Sequence, residues 1–305
     1  MNVLILTLDG VGSTILQRIV TLALHLNNQD VVNCHELTNG LIEKDNKIHK
    51  DFSKQYSQSL ETIATLLQKS TGSLVSRLAK YHLDTRNDDL ASQTNFFKFL
   101  KSFNNKILVC KRKNIFEYAL SWSIRNESKV LNVYKRKQKA QVNQVSKIDE
   151  KFFLAMCKNY VTYLNWIENN FKDYDVVNYE DFVLDPDSEI ERLFGIENVF
   201  SKTFGANLSE IFKKEYLVFN NKVKIENKLD VDPLLRYKSK MNTLQRQSVL
   251  PIGISAPVKN TALEDKKNML ENFDNCKSIF LDFARKHNWI DASSIDYDFW
   301  NRKML

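Results

Sequence analysis

Apolar residues along the chain form two kinds of pattern: short unbroken runs closed by polar residues, and longer stretches with an apolar residue every three or four positions. Val3 to Leu8 (VLILTL) is an unbroken run ended by Asp9-Gly10, the pattern of a strand buried on both faces in a parallel sheet. From Ser13 or Thr14 to Asn27-Asn28, Ile15, Leu16, Ile19, Val20, Ala23 and Leu24 recur at helical spacing, with Ser13 or Asp9 placed to cap the start. Val31 to Cys34 (VVNC) predicts a second strand, completing a strand-helix-strand unit that feeds a parallel sheet. The same reading predicts helices over Leu60 to Gln68, Leu74 to Tyr81 and Thr94 to Phe103, then a third strand at Lys106 to Cys110 (KILVC).

Beyond it, Ile115 to Ser123 predicts a helix, and Phe152 to Phe171 a strongly amphipathic one. Phe152, Phe153, Tyr160, Tyr163, Leu164 and Ile167 keep helical spacing in the latter and read as core. Val176 to Tyr179 (VVNY) predicts a fourth strand, and Asp185-Pro186 opens a short helix through Leu193, since proline is tolerated in a first turn. Further helices are predicted over Ala206 to Tyr216 and Ala262 to His287. Leu250 to Val258, with two of the four prolines, reads as a loop. The order of elements predicts one α/β domain with a mainly parallel central sheet flanked by helices, its core over residues 1–200, and a mainly helical part over 201–305 packed on the same domain.

Composition narrows the function classes. With 43% apolar and 27% charged residues the chain is of ordinary globular type, and its net charge of +7 favours anionic partners without specifying them. Cys34, Cys110, Cys157 and Cys276 form no CxxC pair and no metal spacing with histidine, so neither a disulfide framework nor a metal site is expected. The N-terminal apolar stretch lacks a basic leader and is interrupted by Asp9, Gln17 and Arg18, so a cytoplasmic protein is expected, not bound to a membrane. The basic stretch Tyr134 to Lys147 comes without a nucleic-acid-binding motif and reads first as a solvated face, the alternatives being a lid over a bound ligand or a site for a sulfated or acidic glycan; no nucleic acid is expected as a partner.

The candidate chemistry starts at the first turn. Two of only seven glycines, Gly10 and Gly12, stand between the first strand and helix. Such a turn directs backbone N–H groups into the space before a helix N-terminus, where the macrodipole favours an anion, and Ser13 and Thr14 add hydroxyl donors. G-x-x-x-x-G-K-[ST] is not present, since Gly12 is followed directly by Ser13, which disfavours a nucleotide kinase of P-loop type. G-x-G-x-x-G fails at Ile15. Later, Lys111-Arg112-Lys113 stand at a strand end with Ser121 eight residues after Lys113, and Tyr179-Glu180-Asp181-Phe182-Val183-Leu184-Asp185-Pro186 ends the fourth strand.

Taken in order, these three stretches resemble the sulfotransferases that use 3′-phosphoadenosine 5′-phosphosulfate (PAPS), over roughly residues 1 to 195. Gly12-Ser13-Thr14-Ile15-Leu16-Gln17 is similar to the second half of that family's R-S-G-[ST]-T-x-L-Q loop. Lys113-Asn114 with Ala119 and Ser121 is similar to its R-[ND]-x-x-x-x-A-x-S segment, and Tyr179 to Pro186 to its Y-E-D-[LF]-V-x-D-P phrase. The resemblance implies a P-loop-like three-layer fold and PAPS as the sulfuryl donor, with no metal. Gly10, Val11, Gly12, Ser13 and Thr14 would cradle the phosphosulfate, and Arg112 or Lys113 with Ser121 would hold the 3′-phosphate. The acceptor would bear a hydroxyl or amine, on a glycan or a small molecule. Glu36 is the first candidate for the base and His35 the second, both at the end of the second strand. Gly10 stands where the family has Lys or Arg, so the cation must come from elsewhere, Lys44, Lys47, Lys50 or Lys54 from a following loop being the candidates. Without it the chain would be a catalytically silent relative serving as a structural or binding module.

Overall fold

The computed structural model describes residues 1–27, 29, 31–38, 41–44, 47–50, 58–70, 72–130, 141–204 and 263–287. The predicted helix at Ala206 to Tyr216, the loop at Leu250 to Val258 and positions 134–140 of the basic stretch lie outside these residues. The chain divides into two compact units, Met1–Lys111 with Ile167–Ile254, and Arg112–Trp166 with Ser255–Leu305.

In the first unit the elements are β1 (Val3–Thr7), α1 (Ser13–Leu26), β2 (Val31–Glu36), a hairpin of β3 (Leu41–Lys44) and β4 (Lys47–Lys50), α2 (Leu60–Lys69), β5 (Ser73–Ala79), α3 (Lys80–Asp84), α4 (Leu90–Phe103) and β6 (Lys106–Lys111). A five-stranded, all-parallel sheet runs in the order β2-β5-β1-β6-β7, with β7 at Asp175–Asn178. The unbroken apolar run of β1 lies at its centre with all five residues buried, paired to β5 on one side and β6 on the other. From β1 the chain crosses toward β2, and from β5 it crosses back over β1 to β6. With the right-handed crossovers of parallel sheets, these opposite directions put α1 on one face and α2 and α4 on the other. The fold is therefore α/β, a parallel sheet flanked by helices.

Helix α1 is apolar on nearly every side because it is covered twice. Leu16, Ile19, Val20, Leu22, Ala23 and Leu24 are all buried, between the sheet and three short helices that follow β7: α7 (Tyr179–Leu184), α8 (Pro186–Phe194) and α9 (Val199–Phe204). The predicted start of α8 is in place, with Pro186 in the first turn and the Asp185 side chain accepting from Ser188 N at 3.2 Å. Buried Asp187 then accepts from Phe200 N (2.9 Å) and Ser201 Oγ (2.6 Å), tying α9 to α8.

Leu74 to Tyr81, read as a helix, is the strand β5 followed by the short α3. Leu74, Leu78 and Tyr81 keep helical spacing by coincidence. A strand buried on both faces has no alternation to set against that spacing.

The second unit contains α5 (Ile115–Ser128), most of α6 (Glu150–Asn170), α10 (Leu263–Met269) and α11 (Phe273–Lys286). Its core centres on Phe116, whose ring lies 5.6 Å from Phe153, 5.4 Å from Phe273 and 5.5 Å from Phe280 between centroids. The single helix expected over Ala262 to His287 is instead two, interrupted before Phe273. Asn272 leaves the helical path to bond the backbone of Ile148, donating to its carbonyl at 2.9 Å and accepting from its N–H at 3.2 Å. No helix among the described residues is long and apolar enough to cross a membrane.

Candidate functional site

The sheet order puts a topological switch at the carboxyl ends of β1 and β6, where the connections leave in opposite directions; crevices for ligands form at such points. The turn from Leu8 to Gly12 lies there. Gly10 and Gly12 both take left-handed backbone, φ 85° and φ 91°. Val11 between them is fully buried, and its carbonyl accepts from the Cys110 thiol of β6 at 3.4 Å. Gly12 is the N-cap of α1 and has no side chain with which to cap the helix; Ser13, one of the two residues expected there, is the first residue of the helix instead. A Cβ at Gly12 would collide with the ring of Tyr179, the first residue of α7. The glycine turn and the Y-E-D phrase, 167 positions apart in the chain, are therefore in contact, and glycine is required at position 12 by both backbone and neighbour.

The cation absent from the turn stands on the next strand. Arg77 is the one position of β5 that is not fully buried, and it lies in register with Ile5 of β1 and Glu36 of β2. Its Nη1 donates to Ser13 Oγ at 3.2 Å and to Thr14 Oγ1, and its Nη2 donates to Glu36 Oε1. The Arg77 and Glu36 side chains are 12% and 11% exposed, so this ion pair is screened far less than one on the surface. A hydroxyl oxygen that accepts from a guanidinium keeps its own proton available to a further acceptor. Ser13 and Thr14 are thus prepared as donors at the N-terminus of a 14-residue helix, an arrangement that favours an anion.

Glu36, expected as a base, holds Arg77 through Oε1 and lies 3.4 Å from His82 Nε2 through Oε2. His35 is on β2 beside Ser76, and its side chain is outside the described residues, as are those of Lys44, Lys47, Lys50 and Lys54. Asp9 joins Glu36 and His82 in a cluster whose ligand-type atoms lie within 4.8 Å of one another. The cavity of about 320 Å³ among Lys101, Asn104, Asn105, Asn169 and Lys172 adjoins Ile107 near the start of β6, the opposite end of the sheet, and holds no comparable set.

The remaining predicted residues belong to the second unit. The Arg112 backbone is clamped by Tyr160, whose Oη accepts from Arg112 N at 2.8 Å and donates to Arg112 O at 3.1 Å. Lys113 is exposed, and Asn114 caps α5 by accepting from Glu117 N at 2.8 Å. Ser121 Oγ accepts from Lys266 Nζ at 2.8 Å, and the same ammonium pairs with Glu117 Oε1 at 3.0 Å. Lys266 and Glu117 side chains are 3% and 2% exposed.

Sequence reasoning missed Arg77, His82 and Lys266. Arg77 was hidden by the helical reading of its strand. Glu117 and Ser121, four apart on α5, carried a weak signal for a buried polar partner, but nothing in the Lys266-Lys267-Asn268 run distinguishes the lysine that answers it. The chain has no significant match to a model of a known protein family, to a curated protein or to a solved structure.

Proposed function

We propose that the chain binds PAPS and transfers its sulfuryl group to a hydroxyl or amine of a glycan or small molecule. The observation that carries this reading is the guanidinium of Arg77 on the hydroxyls of Ser13 and Thr14, at the N-terminus of α1 and the switch point of a parallel sheet. Gly10, Val11, Gly12, Ser13 and Thr14 would cradle the phosphosulfate, while Arg77 supplies the positive charge that the turn itself lacks.

In the step itself, the bond from sulfur to the bridging phosphate oxygen breaks with its electron pair staying on the phosphate, and a bond from sulfur to the acceptor atom forms. The acceptor's proton goes to Glu36 or His35. Charge grows on the leaving phosphate, so removing a preorganised donor there costs about 10²- to 10³-fold in rate. Calorimetry of the full chain with 3′-phosphoadenosine 5′-phosphate against ATP tests the reading. Binding of the former in preference to ATP is expected, and no binding of it refutes the proposal. With PAPS and a panel of glycans and small alcohols, wild type should release that product, and Arg77→Lys should be slower by about the factor above, because an ammonium cannot reproduce the fork on Ser13, Thr14 and Glu36.

A further inference from the structure

We propose that Asp9, Glu36 and His82 form a binding site for one divalent transition-metal ion. Three separate elements supply them: Asp9 from the turn after β1, Glu36 from the end of β2, His82 from α3. Two ligands about 2.1 Å from a tetrahedral metal stand about 3.4 Å apart. His82 Nε2 and Glu36 Oε2 are separated by 3.4 Å. All three ligand-type atoms lie within 4.8 Å of one another, and Asp9 is partly exposed.

The surroundings are those of a first coordination shell held by a second one. Ligating carboxylates are themselves hydrogen-bonded, which fixes their orientation. Arg77 Nη2 does this for Glu36 through Oε1, leaving Oε2 turned toward His82. Glu36 and His82 are each 8% exposed, so their positions are set by packing. One imidazole nitrogen with two carboxylate oxygens selects Zn²⁺, Mn²⁺ or Fe²⁺ over the all-oxygen preference of Mg²⁺ and Ca²⁺. Three protein ligands leave at least one position, open to water or to an oxygen of an anion held in the adjacent turn. The inference goes beyond the PAPS reading and does not depend on it, since nucleotide calorimetry in the presence of a chelator tests that reading separately.

The experiment uses the full chain, stripped with a chelator and titrated with Mn²⁺, free ion being followed by its electron paramagnetic resonance signal and stoichiometry checked by calorimetry with Zn²⁺. One site per chain is expected. Asp9→Asn and His82→Gln should each weaken it by at least about tenfold, the lower bound for losing even an outer-shell partner. His287→Ala, which removes an exposed imidazole on the other unit, should leave it unchanged. Asp9→Asn is isosteric and sits on a partly exposed turn, so a melting curve matching wild type keeps the test valid even where His82→Gln is destabilised. Failure of wild type to bind, or equal affinity in Asp9→Asn, overturns the inference and makes Glu36 and His82 an ion pair alone.

Discussion

Replacing Gly12 with alanine separates the two demands made on that residue. The left-handed backbone at φ 91° costs a residue with a Cβ about 1–2 kcal/mol. The added methyl also meets the ring of Tyr179, an overpacking worth about 1–3 kcal/mol. Alanine restricts the unfolded chain and recovers about 0.4–1 kcal/mol. The expected net loss is about 1.5–4 kcal/mol, a large part of the roughly 5–15 kcal/mol that holds a typical protein folded. Gly195 provides the internal control: its backbone is also left-handed at φ 66°, but a Cβ there has nothing within 4 Å, so Gly195→Ala should lose only about 0.5–1 kcal/mol by the same backbone terms. Urea denaturation followed by circular dichroism measures both. Repeating Gly12→Ala in a Tyr179→Ala background removes the collision and should cut its cost by about 1–3 kcal/mol. Equal costs for Gly12→Ala in the two backgrounds, or at Gly12 and Gly195, would refute the contact between the turn and the Y-E-D phrase.

Two further outcomes concern buried polar groups. Lys266→Met leaves Glu117 buried without its ammonium and should destabilise the chain by about 3–5 kcal/mol in urea titrations, whereas Lys266→Met with Glu117→Leu should recover most of that; a double variant no more stable than the single one would remove the ion pair as the cause. Burial pushes the thiols of Cys34, Cys157 and Cys276 up to about 12, so a thiol reagent at neutral pH should label them only after denaturant is added. Because the folded thiols ionise later than the unfolded ones, which have the ordinary value of 9.0, their contribution to stability is complete below pH 9 and is lost as pH rises from 9 toward 12. Prompt labelling of the native chain would show that these side chains are accessible.

The sheet was legible where burial leaves an unambiguous mark. VLILTL, KILVC and VVNY are short apolar runs with polar ends, and β1, β6 and β7 lie on them. Asp185 before Pro186 marks a helix start through local bonds alone, and the cap is there. The failures share another cause, since each was decided by a partner distant in the chain. β5 is a strand because it fills the space between β1 and β2, whatever its spacing suggests. The break between α10 and α11 contains no glycine or proline; it exists because Asn272 satisfies the backbone of Ile148, 124 positions earlier.

The site follows the same division, and this sharpens what the departure at Gly10 means. A cation at that position would lie on the turn itself and reach the anion directly. Arg77 instead arrives from β5, in register with Glu36, and acts on the hydroxyls of Ser13 and Thr14. Its charge is shared with Glu36, so under the proposed reading it would orient Ser13 and Thr14 at the expense of a full positive charge at the reacting oxygen. Glu36 in turn has one oxygen committed to Arg77 and the other beside His82, which makes it the joint between the anion cradle and the Asp9 cluster. In the proposed site Asp9 would have a use that repulsion from a phosphosulfate would otherwise deny it: with Glu36 and His82 it would give the turn an alternative source of positive charge, a bound cation. A turn that lacks its own lysine can regain electrostatic strength from a neighbouring strand and from a metal, and the two routes are separable because Asp9→Asn alters the second while leaving the bonds of Arg77 to Ser13, Thr14 and Glu36 in place.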